Sequence, residues 1–162
     1  MIELYHNGMS TCSQKVRLTL AEKGQDFTSH HFNLRAGDQH HPDYLALNPN
    51  GVVPTLIHDG QVVMESTVIL EYLEDCFPDP AFRPAATLEQ ARMRLWMKAL
   101  DESIHADCGV LSSAIAFRHQ PGHEAQILTM VNAEKRARKM ASFKLGIEAP
   151  LFRTALGRFT TM

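Results

Sequence analysis

The sequence predicts an α/β domain followed by an all-α domain, and three observations carry that prediction. The apolar patterns run in the order β-α-β, then β-β-α, then helix throughout. The halves differ in charge: residues 1–80 hold 4 Lys/Arg against 11 Asp/Glu, a balance of −7, and residues 81–162 hold 12 against 7, a balance of +5. Between them, "FPDPAFRPA" places three prolines in the nine residues from Phe77 to Ala85, a density that no helix or central strand tolerates. The expected organisation is a sheet-containing domain over residues 1–76, a linker over 77–85 and a helical domain over 86–162. A length of 162 residues is enough to bury a core.

In chain order, Ile2 to His6 reads as a strand and Asn7-Gly8 as a turn. Thr11 to Lys23 reads as a helix because Val16, Leu20 and Ala21 follow helical spacing and Gly24 is a natural stop. Phe27 to Asn33 is a second strand, polar on one face, and the helical crossover makes it parallel to the first. Residues 35–51 are loop-like, with a helical turn near Tyr44–Leu47. In "VVPTLIHDGQVVMES" two apolar runs flank Asp59-Gly60, the strongest short hairpin signal. Ser66 opens a helix to about Asp75 that buries a combination of Ile69, Leu70, Tyr72 and Leu73. The first half therefore suits a four-stranded mixed sheet with helices packed on it. Beyond the linker, Ala86 to about Phe117 reads as helix with an apolar stripe of Leu88, Ala91, Leu95, Ala99 and Leu100. Pro121-Gly122 breaks it, a basic helix runs to about Lys144, and Leu151 to Thr161 is helical after a break at Pro150.

Composition excludes several classes of function. A hydrophobic content of 44% and a charged content of 21% are ordinary for a soluble globular protein. The positive residues of the second half are scattered, which argues against nucleic acid as a partner. Cys12, Cys76 and Cys108 are odd in number, widely spaced and without a CxxC pair. That disfavours zinc and a redox dithiol and points to free thiols in a reducing cytoplasm. His30-His31 and His40-His41 are adjacent pairs, and neighbours on a strand point to opposite faces, so no metal site is assigned. "MIELYHNG" has neither a basic n-region nor a long apolar stretch, so no signal peptide and no membrane span are expected.

Three stretches carry chemistry. "GMSTCSQKV" opens a helix with Ser10, Thr11, Cys12 and Ser13. A hydroxyl donor at a helix N-terminus stabilises an anion, a thiolate above all; the structural alternative is capping, with Thr11 and Gln14 as a capping box and Cys12 as a small buried hydrophobe. "GVVPTL" leads an apolar strand with a proline, which belongs at an edge, at the strand start or in a special bond. A cis Val53–Pro54 bond would turn the backbone of Val53 outward at the sheet edge, where it could pair with an extended peptide; the alternative is an ordinary edge proline. Glu65-Ser66 lies between a strand and a helix. The unpaired N–H groups there, with the Ser66 hydroxyl, suit a carboxylate, and Glu65 suits an ammonium. Together these describe an α-amino acid; the alternative is that Ser66 caps its own helix. Jointly, the three corners would bracket one extended peptide that carries a thiol, which is the chemistry of glutathione.

On these residues the chain resembles a glutathione S-transferase, through "NGMSTCSQKVRLTLAEKG", "YLALNPNGVVPTL" and "ESTVILEYLED". The resemblance covers about residues 1–118. It implies a thioredoxin-like N-terminal domain, an all-α C-terminal domain, a cis bond before Pro54, glutathione as co-substrate and a homodimer. It implies that Val53 holds the cysteinyl backbone, that Glu65 and Ser66 hold the γ-glutamyl end, that Gln39 contacts glutathione, and that Asp101 reaches the γ-glutamyl amine. For activation of the thiol it ranks Ser10 first, Cys12 second and Ser13 third. "STCS" is similar to the "SSCS" of zeta-class maleylacetoacetate isomerases, Cys12 falls where beta-class enzymes carry a cysteine, and Ser13 falls near the serine of β-aryl-ether-cleaving relatives. Tyr5 lies inside a strand, which disfavours a tyrosine mechanism. A small electrophile is expected between the domains, on side chains such as Leu111 and Ile115, for which helix packing is the other reading. The alternatives are a non-catalytic glutathione-binding protein and thiol-disulfide exchange through Cys12. Family members run well beyond this length, and their capped helix is not evident after Gly146, so the helical domain is expected to be incomplete.

Overall fold

The structure, a computed structural model, describes residues 1–130 and 132–160. The chain divides into two units, one over Met1–Met93 and a second over Arg94–Met162.

The first unit is built on four strands: β1 (Ile2–His6), β2 (Thr28–His31), β3 (Thr55–His58) and β4 (Gln61–Met64). Their order is β2-β1-β3-β4, with β1 and β2 parallel and the other pairs antiparallel. This is the four-stranded mixed sheet that the crossover and the hairpin signal predict, in the thioredoxin-like form that the resemblance implies. The turn at Asp59-Gly60 has φ of 49° and 79°, positive at both central residues as a two-residue hairpin requires. Helices α1 (Thr11–Glu22) and α3 (Ser66–Cys76) lie on one face of the sheet. The core they close consists of Ile2, Leu4 and Leu56 from the strands, Val16 and Leu20 from α1, and Ile69 and Leu73 from α3. On α1 the buried stripe is Ser13, Val16 and Leu20, whereas Ala21, expected inside, is exposed. Leu70 and Tyr72 pack at the rim of the core. The opposite face carries Tyr5, Phe32 and Tyr44 in mutual ring contact; Tyr44 belongs to α2 (Pro42–Leu47), which Pro42 opens at its first turn.

The proline-rich stretch after α3 is not a loose tether. Lys23, at the end of α1, and Glu74, near the end of α3, are both buried and form an ion pair of 2.5 Å. Glu74 also accepts from the backbone N–H of Phe82 and of Arg83, at 3.0 and 3.2 Å. Lys23 Nζ donates to the carbonyl of Pro80 at 2.7 Å and stands 4.3 Å from the centre of the Phe82 ring. The stretch lacks regular structure, as its prolines predict, yet these bonds fasten it to both helices.

Helix α4 (Thr87–Ala99) crosses the division between the units and continues as a π-helical turn over Leu100–Ile104 into α5 (His105–Ile115). The expected apolar stripe is present in sequence but not buried: Leu88, Leu95 and Leu100 are 61%, 67% and 47% exposed. The basic helix is two helices, α6 (His123–Leu128) and α7 (Ala133–Leu145). Asn132 restarts the backbone at α7 by accepting from the N–H of Lys135 at 2.8 Å. Pro150 opens α8 (Pro150–Thr160); the expected end of that helix, Thr161, lies outside the described residues, as does Val131 of the basic stretch. Within the second unit Ala114, Ala149 and Phe152 form a small core. Asp107 of α5 pairs bidentately with Arg158 of α8, which holds its carboxyl below the usual range.

Candidate functional site

The sheet register determines what meets at the site. Tyr5 pairs with Thr55 and Thr55 pairs with Met64, so the end of β1, the start of β3 and the end of β4 lie level across the sheet. The residues just beyond that line are Asn7 to Ser10, then Val53-Pro54, then Glu65-Ser66. At the far side His6 pairs with His31, and the Phe32 N–H donates to the His6 carbonyl at 2.8 Å, which launches the loop that carries Gln39 from the same end. The three corners read from sequence are therefore neighbours on one end of one sheet.

Each corner is held locally. Asn7 Nδ2 donates to the Phe32 carbonyl and Asn7 Oδ1 accepts from the Met9 N–H, both at 2.8 Å. Ser10 is the N-cap of α1: its Oγ accepts from the Ser13 N–H at 3.2 Å. The expected Thr11–Gln14 capping box does not form, because the helix begins at Thr11 and the Gln14 amide instead donates to the Gly8 carbonyl at 2.9 Å. A hydroxyl oxygen that accepts still has its own O–H to donate, so capping and thiol activation by half-buried Ser10 are compatible. Ser13 is fully buried, with Oγ accepting from the Asn7 N–H at 3.4 Å. Cys12 is half-buried in the first turn of α1 and forms no disulfide.

The bond between Val53 and Pro54 is cis. Pro54 is not on an edge strand, since β3 lies between β1 and β4. It precedes Thr55, the first paired residue, so its missing N–H interrupts no ladder. A network that sequence reasoning missed fixes this approach. Asn48 Nδ2 donates to Thr55 Oγ1 and to the Val52 carbonyl, at 2.9 and 3.0 Å. Tyr44 Oη donates to the same carbonyl at 2.5 Å, which leaves the Thr55 hydroxyl as donor to Tyr44 at 2.7 Å. Tyr44, Asn48 and Thr55 are all buried, and burial pushes the Tyr44 phenol up. The available signal was Tyr44 and Asn48 four apart across α2, one face of one turn.

Glu65 is the N-cap of α3 at φ 67°, ψ 114°, and its side chain makes no capping bond. A non-glycine residue in that region costs about 1–3 kcal/mol, and such outliers cluster where function requires them. Ser66 is the first helical residue rather than the cap, and it is buried; no acidic side chain lies in the first turn. Gln39 sits in a 3₁₀ turn over Asp38–His40. Its Oε1, like His40 Nδ1, is buried without a hydrogen-bond partner, a state that costs about 1–3 kcal/mol per group. Gly51, at φ +57°, lies so close that a Cβ there would meet His40 Nδ1 at 2.9 Å.

Three predicted residues belong to the second unit. Asp101 lies in the π-helical turn. Leu111 packs on the Ala114–Phe152 core, whereas Ile115 is exposed. A cavity of about 750 Å³ opens on the α2 side of the sheet, between Tyr5, Phe32, Tyr44 and His40; Ser10, Val53 and Ser66 are not among its walls. The three-corner end is therefore distinct from that cavity.

A family model described as the glutathione S-transferase N-terminal domain matches residues 9–76. Protein LigF of Sphingobium sp. (strain NBRC 103272 / SYK-6) is 45% identical over 103 residues, which are 62% of this chain and 40% of LigF. A maleylacetoacetate isomerase of Pseudomonas aeruginosa is 45% identical over 96 residues, 57% of this chain and 45% of that protein. The matched segments thus span less than half the length of these two relatives. The crystal structure of the beta-etherase LigF from Sphingobium sp. strain SYK-6 superimposes with a TM-score of 0.86 at 30% identity, covering 99% of this chain and 69% of that one.

Proposed function

The chain belongs to the glutathione S-transferase superfamily, and from that premise we propose that it binds glutathione across the three corners and activates its thiol for attack on a small electrophile. The observation that carries this reading is the level register of Tyr5, Thr55 and Met64, which brings Ser10, Val53 and Ser66 to one end of the sheet. The N–H and C=O of Val53 pair with the cysteinyl backbone in the manner of an added strand. The first N–H groups of α3 and the Ser66 hydroxyl take the γ-glutamyl carboxylate, and Glu65 takes the ammonium. The loop with Gln39 contacts the remaining backbone.

Ser10 donates its O–H to the sulfur. It is not a base and forms no covalent intermediate. Lowering a thiol by two pKa units corresponds to about 2.7 kcal/mol, within reach of one charge-assisted hydrogen bond and a helix N-terminus. Ser13 is assigned a structural role because its oxygen is buried. The likeness to a beta-etherase supports an ether as the electrophile. The thiolate forms a C–S bond at the carbon bearing the ether oxygen, the C–O bond breaks, and the departing oxygen takes its electron pair and then a proton from water. The reducing cytoplasm is the compartment in keeping with three cysteines outside any disulfide. A homodimer is in keeping with Leu88, Leu95 and Trp96 exposed on α4.

The test is turnover of a β-aryl ether with glutathione. A glutathione thioether and a phenol are expected, with Ser10→Ala slowing the reaction on the order of 100-fold and Cys12→Ala sparing it. Mixed-disulfide formation that Cys12→Ala abolishes would assign thiol-disulfide exchange instead, and glutathione binding without product would assign a binding module.

A further inference from the structure

Helices α1 and α3 run side by side and are joined at both ends. Near their C-terminal ends the tie is Lys23 to Glu74. At their N-terminal ends Lys15 Nζ donates to Thr67 Oγ1 at 2.9 Å, in a partly buried contact. Lys15 stands five residues after Ser10, and Thr67 follows Ser66. This contact therefore spans the two helix starts that carry two of the three corners, and its partners lie 52 residues apart in sequence.

We propose that Lys15 is a positioning residue for the site: through Thr67 it fixes the first turn of α3 against the second turn of α1, and so sets the spacing between the Ser10 hydroxyl and the Ser66 end. This assignment rests on the reading of the site given above. A tripeptide held at both ends senses that spacing directly. Its γ-glutamyl group is placed by α3 and its sulfur by α1, and a shift of one helix along the other presents the sulfur off the line of the Ser10 O–H. A small misplacement of this kind has large effects on a preorganised site. Lys15 touches neither end of the peptide in this arrangement and acts through the helix pair.

The test uses four variants of the whole chain and two readouts, glutathione affinity by calorimetry and the pH titration of the bound thiolate by its ultraviolet absorbance. Lys15→Met and Thr67→Val are expected to weaken glutathione binding about tenfold, the size of one hydrogen bond to a charged group, and to move the thiol titration upward toward that of free glutathione. Lys15→Arg and Thr67→Ser keep a donor and an acceptor and are expected to restore both. Because Thr67→Val preserves shape, it separates loss of the contact from loss of fold. Unchanged affinity and titration in Lys15→Met and Thr67→Val, or equal damage in Thr67→Ser, would overturn the assignment while leaving the glutathione site standing. A wild-type chain that binds no glutathione would overturn the site itself, and this assignment with it.

Discussion

At the scale of single residues the site trades local comfort for readiness. Glu65 occupies a backbone region that glycine adopts without strain. Glu65→Gly is expected to stabilise the fold by about 1 kcal/mol while weakening glutathione binding, measurable as a higher urea midpoint alongside a higher Kd. Tyr44→Phe removes the donor to the Val52 carbonyl and leaves the Thr55 hydroxyl without its acceptor. A loss of about 1–2 kcal/mol is expected, read from denaturant unfolding, with amide exchange rising first over residues 51–53. His6 supplies the pH dependence. It is buried against Ser29 and Arg17, and burial, followed by the nearby Arg17 charge, pushes its pKa below the ordinary 6.5. His40 and His123 are lowered by burial in the same way. The unfolded chain binds these protons before the folded chain does, so stability is fully present above about pH 6.5 and falls as pH drops through the depressed values. The urea midpoint is expected to fall between about pH 7.5 and about pH 5.5, and less steeply in His6→Gln.

At the scale of elements, two parallel-running helices and one strap decide how the first unit ends. Removing one partner of a buried ion pair strands the other charge, at about 3–5 kcal/mol. Glu74→Gln strands Lys23 and also loosens the hold on Phe82 and Arg83. It is expected to expose residues 77–86 to limited proteolysis at a temperature where the wild-type strap resists, with Lys23→Met/Glu74→Leu recovering much of the loss. Acid does the same by titration: the Lys23 contact and two backbone N–H groups keep Glu74 ionised below the usual carboxylate range despite burial, so this stabilisation is lost only as pH falls through that depressed value. The strap shows what sequence could and could not reveal. Three prolines excluded regular structure there, because proline removes donors and fixes φ, but the fastening depends on Lys23 and Glu74 being 51 residues apart in sequence. The same division runs through the fold. The strands, the Asp59-Gly60 hairpin and the start of α3 follow from local pattern, whereas the exposure of Leu88 and Leu95 does not, since helical spacing fixes a face but not what covers it.

At the scale of the molecule, the site is a property of the sheet and not of any motif within it. Ser10, Val53 and Ser66 were legible because each sits at a change of element, where unpaired backbone groups have a chemical meaning. Their meeting was inferred from complementary chemistry, one corner for each part of a thiol peptide, but its geometry was not legible, since register is set by pairing across the sheet; Tyr5, Thr55 and Met64 in line supply the physical reason. Gln39 was reached through the resemblance alone, whereas its unpartnered oxygen and the Tyr44–Asn48–Thr55 network that steadies Val53 lay beyond sequence because no local pattern distinguishes a buried polar contact from an exposed one. The most direct test of the central claim is the structure of this chain with glutathione bound. The account predicts the sulfur within about 3.5 Å of Ser10 Oγ, the cysteinyl backbone paired with Val53 and the γ-glutamyl carboxylate on the first turn of α3. A sulfur seated on Cys12 and away from Ser10, or a tripeptide lodged in the cavity beside Tyr5 and Tyr44, would contradict it.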